Sequence, residues 1–215
     1  MNDFALRDLY TAFGMESSFG EDTATHPYFL KTGMQKESAW SAKYRGPFQM
    51  SREVQQKHGL SDDDVFRPDK AVGAYINETS ELMRNDESWA AWEIDKRAED
   101  LGLDRGLLRY LVWQQGRSGV IDIITAASHD IEGGYNSTIY KNKKVGVTSG
   151  NLGKTVRKNM ANNVSGLDPN EESGTKYAQA YLMKLNEKWA KRKEESYDKF
   201  PASAIEATMN QGGKF

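Results

Sequence analysis

Apolar residues recur along this chain mostly at helical spacing. Leu6, Leu9, Tyr10 and Phe13 fall on one face and predict an opening helix that ends at Gly14 or, with that glycine tolerated, a few residues later. Val72, Tyr75, Ile76, Thr79, Leu82 and Met83 predict a second helix, and Leu107, Leu108, Leu111 and Val112 a third. Val120, Ile121, Ile123, Ile124 and Ala127 follow Gly116 and Gly119, so they are expected to form a separate short helix after a bend. Tyr177, Tyr181, Leu185 and Trp189 recur every four residues among Lys and Glu, which predicts a long amphipathic helix that closes the core.

Three stretches break this pattern. Residues 20–45 are polar and aromatic, with His26, Tyr28, Phe29, Trp40 and Tyr44, and run longer than a connection requires. Residues 133–166 carry Lys141, Lys143, Lys144, Lys154, Arg157 and Lys158 and no acid, with Ile139-Tyr140 and Val145 to Val147 as a candidate hairpin. The end from Pro201 reads as a frayed tail, which leaves a single domain over 1–200 and a tail over 201–215.

Composition narrows the function classes. The 215 residues carry 29 basic and 31 acidic side chains, a formal net charge of −2, so no global electrostatic case exists for a nucleic-acid partner. With 38% hydrophobic residues, five Trp, ten Tyr and eight Phe, the chain has enough apolar surface to fold. The absence of cysteine removes disulfides, a thiol nucleophile and thiolate zinc sites. His26, His58 and His129 lack metal-ligand spacing, so no metal and no cofactor is expected. No apolar run reaches the roughly 20 residues of a membrane span, and no export address is read at the N-terminus. Asp62-Asp63-Asp64 reads as a solvated helix start.

Glu16 is the sharpest chemical candidate. It lies three residues after Phe13 and seven after Leu9, so it continues the apolar stripe. Partial burial disfavours the charged form of a carboxyl, the property that a general acid near neutral pH requires. Taken alone, Glu16 reads equally as a capping residue or a partner of Arg7 or Arg45.

Its surroundings add a pattern. Met15-Glu16-Ser17-Ser18-Phe19-Gly20 is followed by Gly46-Pro47-Phe48-Gln49-Met50-Ser51, and later by Tyr110-Leu111-Val112-Trp113-Gln114-Gln115-Gly116. This ordered set resembles the soluble lytic transglycosylases of the lysozyme-like superfamily, above all those of bacteriophage virion and tail proteins. The likeness covers residues 5–127, and 156–193 look similar to the closing segment of that family. It implies a mainly α, lysozyme-like α+β fold, a helical bundle around a glycan cleft with a small β-hairpin. It makes Glu16 the catalytic acid/base and Ser17 its support, with Gln49 and Met50 lining the sugar cleft and Gln114 and Gln115 on the opposite wall. Trp113 stands where many relatives have Tyr; an indole accepts no proton, so Tyr110 or Tyr44 would have to supply a phenol hydroxyl. Trp40 and Tyr44 suit stacking on the apolar faces of sugar rings.

The activity so implied is cleavage of the MurNAc-GlcNAc β-1,4 bond of peptidoglycan with formation of 1,6-anhydro ends. It needs one carboxylate, whereas glycoside hydrolysis ordinarily uses two. The alternatives are a hydrolytic muramidase in which Glu21, Asp22 or Glu37 activates water, and a non-catalytic wall-binding or virion protein. The expected partners are peptidoglycan strands and other virion or tail proteins, with no obligatory nucleic acid and no membrane span. A phage-encoded protein of this kind is made in the host cytoplasm and acts from the virion or within the periplasm and wall.

Overall fold

The structure, a computed structural model, describes residues 6–17, 44–46, 48–84, 87–128, 154–168, 170–171 and 173–199. Among these the chain is mostly helical. It divides into two compact units, one formed by residues 1–79 with 188–215 and the other by residues 80–187.

The first unit opens with α1 (Leu6–Ser17). Leu9, Ala12 and Met15 are buried on it, whereas Leu6, Phe13 and Glu16 are half-buried. The buried stripe is thus rotated by a small angle from the one the apolar residues alone suggest, because Ala12 and Gly14 permit close packing and Phe13 lies at the border. Gly14 does not end the helix. A hairpin follows, in which β1 (Tyr44–Arg45) pairs antiparallel with β2 (Met50–Ser51), Tyr44 opposite Ser51 and Arg45 opposite Met50.

Ser51 then caps α2 (Arg52–Lys57), its hydroxyl accepting from the Val54 N–H at 3.3 Å. Asp64 begins a short 3-10 turn (Asp64–Phe66), not a longer helix. Its carboxylate accepts from the Ser61 N–H at 3.1 Å and from the Ser61 hydroxyl at 2.8 Å. The helix itself starts four residues later, as α3 (Pro68–Leu82), with proline in the first turn where no N–H is needed.

The second unit contains α4 (Glu87–Ala91), α5 (Ile94–Asp100), α6 (Arg105–Ala127) and α7 (Lys154–Asn163). It also holds the first part of α8 (Gly174–Lys199), whose last turns belong to the first unit. Asp104 caps α6 by accepting from the Leu107 N–H at 2.7 Å. At Gly116 the backbone leaves the helical region (φ 68, ψ 170) and divides α6 into two helices, the bend expected from the glycines. Both halves bury their apolar faces, Leu107, Leu111 and Val112 before the break and Val120, Ile123 and Ile124 after it.

Two side chains, Arg117 and Gln179, close helix ends in this unit. Arg117 donates to the Leu82 and Glu81 carbonyls at 2.8 and 2.6 Å, satisfying the last acceptors of α3. Gln179 does the same for the Ala127 carbonyl at 2.9 Å. The candidate hairpin at 139–147 and the tail at 201–215 lie outside the described residues. No helix among the described residues is long and apolar enough to cross a membrane.

Candidate active site

Glu16 sits in the last turn of α1 and is half-buried. Phe13, one turn earlier, lies against Phe48 with ring centroids 6.1 Å apart, and Phe48 stacks on Tyr75 of α3 at 4.7 Å. Phe48 is 2% exposed, so it pins the turn between β1 and β2 to the end of α1 that carries Glu16. Gln49 is the next residue along that turn. Glu16 and Gln49, distant in sequence, are in this way carried by one aromatic cluster within the first unit.

The turn is built under strain. Gly46 has φ 72, and a Cβ added there would come within 2.3 Å of the Val65 carbonyl oxygen. Glycine is required there on both counts. Gln49 also has a positive φ, 50°, which costs a residue with a side chain about 1 kcal/mol. Its N–H donates to the Gly46 carbonyl at 3.0 Å, and its side-chain amide makes only a long bond, 3.4 Å, to the same oxygen. Gln55 fixes the far side of the turn by donating to the Met50 carbonyl at 2.9 Å. Gln49 is thus a half-buried residue in the left-handed region, tied to Gly46 through its backbone N–H.

Charge surrounds the same region. Lys188 of α8 is half-buried. Burial pushes its ammonium below the ordinary lysine value, the like charge of Arg192 acts in the same direction, and the Glu16 carboxylate opposes them. Glu78 of α3 accepts from Lys57 at 2.7 Å and from His58 at 2.9 Å, which ties the end of α2 to α3. Burial raises the Glu78 value, but those hydrogen bonds and charges outweigh it and leave the carboxyl below its ordinary range.

Comparison with family models, with curated proteins and with solved structures found no match for this chain. Its chemistry is therefore read from its own residues.

Met50 and Tyr110 are 1% and 3% exposed, so both side chains are part of the core, Met50 in the first unit and Tyr110 in the second. Ser17 ends α1 and Tyr44 begins β1, which places their backbones in the first unit. Trp40, Glu21, Asp22 and Glu37 lie outside the described residues. Trp113, Gln114 and Gln115 belong to the second unit, half-buried in the last turn of α6 before Gly116. Gln115 donates to the Tyr181 hydroxyl at 3.4 Å.

Lys188 and Glu78 carry charge that the sequence patterns do not mark. Lys188 is one lysine among many on α8, and Glu78 lies beside Thr79 on the buried face of α3, where periodicity predicts an apolar side chain. Asp122 is a further case: burial pushes its carboxyl above the ordinary value, on a helix face next to Ile121 and Ile123. Among the described residues no group of acidic and histidine side chains has the arrangement of a metal site.

Proposed function

We propose that this chain is a lysozyme-like peptidoglycan lytic transglycosylase that cleaves the MurNAc-GlcNAc β-1,4 bond with Glu16 as its single acid/base. The observation that carries the reading is the half-buried Glu16 at the end of α1, next to a strained turn that holds Gln49. The ordered resemblance of residues 15–20, 46–51 and 110–116 to that family adds to it.

In the first step the Glu16 carboxyl gives its proton to the glycosidic oxygen, and the acetamido oxygen of the muramic residue attacks C1 as the bond to the leaving sugar breaks. Glu16, now a carboxylate, takes the proton from the C6 hydroxyl. That oxygen displaces the acetamido group at C1, giving the 1,6-anhydro end and restoring the protonated Glu16 with no water consumed. One residue serves as acid and then base, for which an environment between buried and solvated is suited. The amide of Gln49 can donate to and accept from an acetamido or ring substituent of the strand. The resemblance to virion and tail enzymes supports a phage protein that opens the wall during genome entry or at lysis.

Glu16→Gln keeps the shape of the side chain and removes the acid. Purified wild-type protein is expected to clear peptidoglycan suspensions, and the variant to lose at least about a hundredfold in rate, the low end of general acid catalysis. Equal clearing by the two proteins would remove Glu16 as the acid/base, and no clearing by either on several wall types would leave a wall-binding or structural role in place of the enzyme.

A further inference from the structure

We propose that Glu78 is a positioning residue for Gln49: from α3 it fixes the far end of α2, and α2 fixes the turn that carries the Gln49 amide. This rests on the reading of Glu16 as the acid/base and of Gln49 as a contact of the glycan strand.

The segment from Phe48 to His58 is gripped twice by one face of α3. Tyr75 and Glu78 lie three residues apart on that helix and are both buried, 0% and 8% exposed. Tyr75 takes the near end of the segment, where Phe48 stacks on its ring at 4.7 Å. Glu78 takes the far end, where one carboxylate oxygen, Oε2, accepts from the Lys57 ammonium at 2.7 Å and from Nε2 of the His58 ring at 2.9 Å. Gln49 lies between the two grips, one residue beyond the first.

The two grips are joined through α2. At its start the Ser51 hydroxyl accepts from the Val54 N–H at 3.3 Å, and the Gln55 amide donates to the Met50 carbonyl at 2.9 Å, so the helix and the turn form one piece. At its end the His58 N–H donates to the Val54 carbonyl at 3.1 Å. The helix has six residues, well short of the roughly 12 at which a helix persists alone, and its buried residue is the polar Gln55. An element with so little apolar surface to bury is located by its polar ties. Those at its start fasten it to the turn, and the tie to Glu78 fastens it to α3.

A buried carboxylate paired with cations adds little net stability over an apolar side chain of similar size, because desolvation offsets the attraction. Its directional bonds set position, which an apolar side chain does not. With the tie removed, α2 and the turn stay joined to one another and pivot on the contact of Phe48 with Tyr75. The Gln49 amide is displaced, whereas Glu16, carried by α1, is not. Strand binding therefore suffers and proton transfer does not.

The experiment measures kcat and KM for fragment release from purified peptidoglycan glycan strands. It compares wild type, Glu78→Leu, Glu78→Gln, Gln49→Gly and the double variant Glu78→Leu with Gln49→Gly, beside Glu16→Gln, with thermal melting of each. Glu78→Leu is expected to raise KM about fivefold and to leave kcat within about twofold of wild type. Introduced into Gln49→Gly, the same substitution is expected to change kcat/KM by less than about twofold, because the amide it positions is gone. Glu78→Gln keeps an acceptor for both donors and should fall between wild type and the leucine variant; it takes the place of that variant in the comparison should the leucine form melt below the assay temperature.

An unchanged KM in Glu78→Leu, or a loss confined to kcat, overturns the positioning role and leaves that of Glu16 intact. So does a KM rise of the same size with and without the Gln49 side chain, which a merely structural role produces. Equal release by wild type and Glu16→Gln, or none by wild type, overturns the underlying reading and the role of Glu78 with it.

Discussion

Two glycines from the quoted motifs, Gly46 and Gly116, both adopt positive φ, yet their surroundings differ. At Gly46 a Cβ would strike the Val65 carbonyl oxygen, and the turn it opens is gripped by Phe48, Gln55 and the Ser51 cap. At Gly116 a Cβ would meet nothing within 4 Å, and glycine is needed for its backbone angles alone. The first is a packed turn that fixes the geometry of a neighbouring residue. The second is a break that divides one helix into two. The comparison shows that a glycine read from sequence can serve close approach or chain direction, and that the cost of replacing it differs accordingly.

Gly46→Ala should be the most damaging of the substitutions that probe this difference, with a loss of about 3 kcal/mol or more, since backbone strain and a clash with a backbone oxygen add. Urea unfolding measures it, and a loss below about 1 kcal/mol would show that the turn yields easily. Gly116→Ala should cost about 2 kcal/mol, from φ 68 and ψ 170 alone. If it costs as much as Gly46→Ala, the distinction between the two sites collapses.

Glu78→Gln probes the support behind the packed turn, where α2 is tied to α3 by Lys57 and His58. A loss of about 1–2 kcal/mol near neutral pH is expected. Because the folded-state value lies below the ordinary 4.5, this contribution is complete above 4.5 and fades as the pH falls through the lowered folded value. A gap between wild type and variant that widens on acidification would contradict that sign.

Gln49→Gly sharpens the comparison from the other side, because glycine relieves the left-handed strain at the tip of the turn. Stability should stay level or rise by up to about 1 kcal/mol, while peptidoglycan cleavage falls about tenfold or more. A variant that loses stability and keeps activity would mean that Gln49 serves the fold and no ligand.

The long helices were legible because their apolar residues keep a 3.6-residue period, and the break in α6 was legible from its glycines. The short elements were hidden for identifiable reasons. In α2 the buried residue is Gln55, which earns its place through a bond to the Met50 carbonyl. In α5 the buried face carries Arg97, whose guanidinium donates to the Trp92 carbonyl at 2.7 Å, so a charged residue occupies a core position. The hairpin at 44–51 has two residues in each strand, too few for alternation to register. Of the candidate site, the border position of Glu16 followed from its spacing to Phe13. The hold of Glu78 on the end of α2 did not, because it depends on how α3 meets α2.

The central claim is that Glu16 transfers a proton to a glycosidic oxygen and then recovers one from the C6 hydroxyl of the same sugar. Mass spectrometry of the fragments released from purified peptidoglycan tests it most directly. The account predicts muropeptides ending in 1,6-anhydro-MurNAc, about 18 Da lighter than reducing ends because no water is added, and their loss in Glu16→Gln. Ordinary reducing ends, or anhydro fragments released equally by the variant, would contradict it.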